Sequence, residues 1–139
     1  MDIEQLLSSL TLEQKIGQLI IAGFETDSVQ DTHFQKLVND YHVGNVILFT
    51  RNLGEREKTA RFTQGIRDAI VSDCGIPPFV VIDQEGGMVT RIFRAGNVVP
   101  GPMAVGATYN PHNAYRVGRI LGQEMRALGM NFDYAPAVE

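Results

Sequence analysis

Phe79-Val80-Val81-Ile82-Asp83-Gln84-Glu85-Gly86-Gly87, running on into Met88-Val89-Thr90-Arg91, is the stretch that decides the fold. Its four leading apolar residues do not alternate with polar ones, which predicts a strand buried on both faces, as in parallel sheets. The character then changes within one residue. Two carboxylates and an amide follow, then two glycines that permit a tight turn and a close approach of backbone to a ligand. In parallel α/β folds the loops after the carboxyl ends of the strands form the ligand face, so the position of Asp83 carries information.

Two readings of that loop stand side by side. In one, Asp83 or Glu85 caps the strand by accepting backbone N–H bonds from the next segment. In the other, the carboxylates meet a ligand. A phosphate cradle is disfavoured, since the acidic side chains would repel an anion and neither glycine-loop spacing is present. A divalent metal on Asp83 and Glu85 would need more oxygen ligands than the stretch supplies, and no cofactor is called for.

Outward from this stretch the same unit repeats. Leu19 to Phe24 forms an apolar run ending near Gly23, and Asn45 to Phe49 forms another ending in Thr50-Arg51-Asn52; both are expected strands. Between them Phe34, Leu37, Val38 and Tyr41 recur at helical spacing, and Phe62, Ile66, Ala69 and Ile70 mark a second amphipathic helix that Gly75-Ile76-Pro77-Pro78 stops. Before the first strand, Thr11 and Gln14 fit a capping box, with Leu12, Ile16 and Leu19 on one helical face. After Arg91 comes a long connection, 92–109, expected to be a functional loop over the ligand face. Asn110-Pro111 then starts a helix whose buried stripe is Val117, Leu121, Met125 and Leu128, with Gly118 and Gly122 allowing close packing on the sheet. A fourth strand, 130–139, closes the sequence.

Strands alternating with helices, and polar loops of one polarity carrying Arg51, Asp83, Glu85 and Arg91, imply right-handed crossovers and a parallel sheet. The fold class is therefore α/β, built of parallel (β/α) units. A free-standing doubly wound sheet and the N-terminal half of a TIM (β/α)₈ barrel compete. The barrel's usual length of about 250 residues is roughly twice this chain, and a last strand ending at its polar side favours the half-barrel.

Composition narrows the function. The 139 residues suffice for one core, so residues 1–139 form a single, partial domain. With 44% hydrophobic and 20% charged residues and a net charge of −4, there is no basic stripe for nucleic acid and no polybasic patch for a membrane. The single cysteine, Cys74, can form no internal disulfide, and no basic, apolar leader opens the sequence, so a cytoplasmic location is expected. His33, His42 and His112 lack metal-ligand spacing and are expected on helix faces or the surface.

Taken in order, Lys15-Ile16-Gly17-Gln18-Leu19, Val46 to Asn52, Ile82 to Gly87, Gly106-Ala107-Thr108 and Ala135-Pro136-Ala137-Val138 resemble the N-terminal barrel domain of glycoside hydrolase family 3. The branch they most resemble is the bacterial β-N-acetylglucosaminidases, or β-hexosaminidases, of cell-wall recycling. Asp-Gln-Glu-Gly-Gly favours that branch over the family's β-glucosidases, which more often follow the aspartate with His-Gly. The resemblance implies that Asp83 binds hydroxyls of the terminal sugar and that Arg91 is a second substrate-binding residue. Met88 departs from an arginine and Glu139 from an aspartate of the family pattern. The family's aspartate nucleophile and histidine acid/base, the latter in a loop resembling Lys-His-Phe-Pro-Gly-His-Gly, lie beyond the position of Glu139. The resemblance thus implies a glycoside hydrolase whose sugar-binding half-site is here without its reacting residues, with a small glycoside as ligand. Its partner is either the missing C-terminal half of the barrel or, by self-association, a second copy. A non-catalytic half-barrel module and a β-glucosidase-type member are the alternatives.

Overall fold

A computed structural model describes residues 2–138. In chain order the elements are α1 (Ile3–Ser9), α2 (Leu12–Gly17), β1 (Ile21–Ala22), α3 (Thr32–Asn39), β2 (Asn45–Leu48), a 3₁₀ turn (Thr50–Asn52), α4 (Arg56–Cys74), β3 (Val80–Ile82), α5 (Pro102–Gly106), α6 (Pro111–Ala127) and β4 (Phe132–Asp133). All neighbouring strands pair in parallel, in the order β1-β2-β3-β4. A doubly wound sheet would reverse its order at a switch point, and this one does not. Sequential order with right-handed crossovers puts the connecting helices on one side of the sheet. That is the layout of the N-terminal half of a (β/α)₈ barrel, with the helices outside.

Register assigns the strand residues to the two sides. Val46 pairs with Val80 and Leu48 with Ile82, and these four belong to the core built with Phe24, Phe34, Ile66 and Ile70. Phe24 packs edge-on against Phe62 and tilted against Phe34, with centroids 5.9 and 5.0 Å apart, which joins α3 and α4 beneath the strands. The alternate residues Ile47, Val81 and Phe132 face the other side, away from that core. Burial on both faces therefore holds for Val80, Val81 and Ile82, while Phe79, one residue before β3, is 52% exposed.

Side-chain amides, one buried and one exposed, clip the strands together at their N-terminal ends. Asn45 Nδ2 donates to the carbonyls of Gln18 and Ile20 at 2.9 and 3.2 Å, and its Oδ1 accepts from the Phe79 amide at 3.0 Å. Asn131 repeats the device one strand on, accepting from Val80 N at 2.8 Å and donating to Pro78 O at 3.0 Å. Each satisfies backbone groups that a short strand leaves unpaired. At the same end His42 Nδ1 lies 2.7 Å from Asp73 Oδ1, so this half-buried histidine is tied to the end of α4 and is no surface bystander.

The helix starts follow the sequence: Thr11 and Gln14 form a reciprocal capping box, and Asn110 caps α6 by accepting from His112 N at 3.0 Å. Gly75 and Gly129 take the left-handed conformation at the ends of α4 and α6. Several expectations are corrected. The first strand is only Ile21–Ala22, because Gln18 to Ile20 complete the end of α2 with turn hydrogen bonds. Leu12, Ile16 and Leu19 are exposed, and so is Tyr41, which falls beyond α3. The connection 92–109 contains α5. Gly118 and Gly122 do not pack on the sheet: a side chain added at either would meet no atom within 4 Å. They border an open groove of about 1100 Å³ between α6 and β4. Glu139 lies outside the described residues. Among those residues no helix is long and apolar enough to cross a membrane.

Candidate functional site

Asp83 continues the alternation of Phe79 and Val81, which sets its carboxylate on their side of the sheet, at the carboxyl end of β3. The chain then reverses in a tight turn. Glu85 N and Gly86 N both donate to Val89 O, at 3.0 and 3.1 Å, with Gly86 at φ 88° and Gly87 at φ 57°. Neither position admits a side chain easily. Besides the positive φ, a Cβ on Gly86 would lie 2.6 Å from Pro100 O, and one on Gly87 would lie 2.9 Å from Gly101 Cα. The long connection is thereby held against the turn, with Gly87 N donating to Val99 O at 2.8 Å.

The reversal returns Arg91 to Asp83, with Arg91 Nη2 3.6 Å from Asp83 Oδ2 and both side chains about 30% exposed. That separation is an ion pair longer than a hydrogen bond. The strand cap expected from Asp83 or Glu85 comes instead from the residue between them. Gln84 is fully buried, and its Oε1 accepts from the amides of Arg91 at 2.8 Å and Ile92 at 3.4 Å. Asp83 makes no hydrogen bond to main chain among the described residues, so its acceptor capacity is free. Asp133, at the end of β4, accepts from Gln84 N at 2.9 Å. Burial pushes the Asp133 carboxyl above its ordinary range; the Gln84 amide opposes this, and the nearby charges of Asp83 and Glu85 add to it.

Arg51 does not join this group. Its Nε donates to Phe24 O at 3.2 Å and lies 2.9 Å from Glu25 Oε2, with the guanidinium over the Phe49 ring at 4.5 Å. It ties the loop after β1 to the loop after β2. Asn52, buried, does the same work by donating to Phe24 O and Thr26 O at 3.0 and 2.6 Å and accepting from Phe49 N at 2.9 Å. Met88 is fully exposed at the tip of the turn. Among the described residues no three His, Cys, Asp or Glu side chains are grouped so as to hold a metal ion. In the sequence Gln84 and Asn52 stand only as polar residues after a strand and Asp133 falls inside an expected strand, with no role assigned to any of the three.

A carboxylate with free lone pairs beside a guanidinium offers acceptors and donors within one opening, which suits a neutral ligand rich in hydroxyls. Such a pair, at the carboxyl ends of the strands, stands where (β/α)₈ barrels carry their ligand sites. The model of the glycosyl hydrolase family 3 N terminal domain matches residues 11–139, and the chain belongs to glycosyl hydrolase family 3. It is 35% identical over 109 residues to beta-hexosaminidase A of Pseudoalteromonas piscicida, a match covering 75% of this chain and 18% of that protein. Among solved structures it superimposes with a TM-score of 0.86 and 43% identity on a family 3 β-N-acetylglucosaminidase from Paenibacillus sp., over 92% of this chain and 24% of the other. A β-N-acetylhexosaminidase from Beutenbergia cavernae superimposes with a TM-score of 0.81 and 30% identity, over 92% of this chain and 38% of its own. The chain therefore spans well under half the length of these relatives.

Proposed function

We propose that this chain is the N-terminal part of a retaining, exo-acting β-N-acetylhexosaminidase that removes terminal N-acetylglucosamine from cell-wall-derived glycosides. In this reading Asp83 and Arg91 bind the terminal sugar. The observation that carries it is the division of labour in the loop after β3. Gln84 takes over the backbone bonds, which leaves the Asp83 carboxylate unengaged by main chain, on the open side and facing Arg91. An ionised carboxylate accepting sugar hydroxyls and a guanidinium donating to sugar oxygens make charge-assisted bonds that outlast competition from water. The similarity to proteins named as β-hexosaminidases and β-N-acetylglucosaminidases supports the choice of sugar.

A retaining mechanism needs a carboxylate nucleophile and a proton donor on opposite sides of the scissile bond. The rest of the barrel supplies both in this reading, and the same segment covers the side of the sheet that carries Phe79 and Phe132. A cytoplasmic location belongs to the proposal too, since the lone Cys74 is buried and unpaired. The test is to express the complete reading frame containing this chain and compare turnover of an aryl N-acetyl-β-glucosaminide with that of an aryl β-glucoside. Preference for the first is expected, with no turnover by residues 1–139 alone. Preference for the glucoside selects the β-glucosidase-type alternative, and no turnover of either selects a non-catalytic sugar-binding or assembly module.

A further inference from the structure

We propose that Gln84 is a positioning residue that sets Arg91 for the sugar, and that Asp133 holds Gln84 in place from the neighbouring strand; this rests on the sugar-site reading above. Burying an amide completely is costly unless its groups are paired, and here only half of them are. Gln84 Oε1 takes two main-chain donors, Arg91 N and Ile92 N, while Gln84 Nε2 is buried with no partner. Rotating the amide by half a turn would bring its NH₂ against both donors, so the orientation is fixed by that pair. The residue is retained for its acceptor and not for efficient packing.

What the acceptor holds is the backbone of Arg91. Nothing else described fixes that arginine firmly: its Nη2 is 3.6 Å from Asp83, beyond hydrogen-bond reach, and its buried Nε has no partner. Ile92, wholly buried, anchors the next residue in the core. The guanidinium is thus placed through its main chain, from the end of β3 and across seven residues, by one side chain. Asp133 Oδ1 on Gln84 N, at 2.9 Å, extends the tie to β4. The order is Asp133, Gln84, Arg91, then ligand, and of these three residues only Arg91 touches the sugar.

The test is a double-mutant cycle in the complete protein, read as kcat and KM on an aryl N-acetyl-β-glucosaminide. Gln84→Met keeps the volume and removes the acceptor; it should lower kcat/KM by about tenfold, mainly through KM. Arg91→Ala should lower it further, and adding Gln84→Met to Arg91→Ala should change nothing more, because Gln84 acts through Arg91. Gln84→Glu keeps the acceptor oxygen and nearly the same shape; it should stay within about threefold of the parent in KM. Additive losses in the double variant, or a Gln84→Glu KM as poor as that of Gln84→Met, overturn the relay while leaving the site reading intact. An unchanged kcat/KM in Arg91→Ala overturns the site reading and the relay with it. If Gln84→Met does not fold, Gln84→Glu decides alone: a near-parental KM supports the relay, and a raised KM or loss of folding overturns it.

Discussion

The two sides of the four-stranded sheet differ although their strands are the same. On the helix side Val46, Leu48, Val80 and Ile82 are each no more than 2% exposed, sealed by α3 and α4. On the other side Val81 is buried at the centre, but Ile21, Phe79, Phe132 and Tyr134 remain between 36 and 52% exposed, although Phe79 and Tyr134 both pack edge-on against Phe132. Contiguous apolar surface of that kind marks a face meant to be covered. The comparison teaches that one side holds the fold together, while the other, in the reading proposed above, is the interior of a barrel shared with further chain. Asp83 belongs to the second side by alternation. The site therefore depends on a covered face for its position and on an uncovered one for its completion.

The contrast can be broken most forcefully in the core. Ile66→Ala, beneath the covered side, should cost about 2–5 kcal/mol in denaturant unfolding, through lost burial and the cavity left behind. Phe79→Ala, on the open side, should cost less than about 1 kcal/mol in the same 139 residues, since half its surface already meets water. Equal losses would mean that the open side is not open. A second expectation concerns association. The strand edges of β1 and β4 and the aromatic patch should drive self-association at micromolar concentration, and Phe132→Ser should weaken it. A clean monomer in light scattering contradicts this.

The smallest effect is a pH dependence. Asp133 has its folded-state pKa raised by burial, so the folded state binds its proton more tightly than the unfolded one. The stability this provides is present below the unfolded value of about 3.9 and is lost as pH rises through the folded value. Asp133→Asn keeps an acceptor for Gln84 N and removes the titration. Its stability relative to the parent should therefore grow as pH climbs from about 4 to 7. A difference that stays constant with pH contradicts the assignment.

Much of this was legible in the residues, and the failures have physical causes. The run at 80–82, the repeat of strand and helix, the caps at Thr11 and Asn110 and the stop at Gly75 are local signals, and local chemistry settles them. Leu12, Ile16 and Leu19 carry a genuine apolar period, but burial needs a partner surface, and none lies against them among the described residues. Gly118 and Gly122 suggested close packing for the same reason and instead border a groove. In the site, Asp83 and Arg91 stood out by residue type and spacing. Gln84 did not, because an amide beside two carboxylates looks solvated until its partners seven and eight residues on are known. The His42–Asp73 contact, 31 residues apart in sequence, had no local signal either.

The central claim is that Asp83 serves the ligand while Gln84 takes the backbone bonds of the loop, and one variant tests it most directly. Asp83→Ala in the complete protein removes a carboxylate on the open side and no core volume, so the melting temperature should stay close to the parent's. Losing charge-assisted bonds to sugar hydroxyls, each worth about 1.5–3 kcal/mol, should lower kcat/KM on an N-acetylglucosaminide by about one to three decades. The measurement is that pair of numbers on one preparation. A collapsed melting temperature with normal turnover by the surviving folded enzyme would make Asp83 the structural cap and contradict the account.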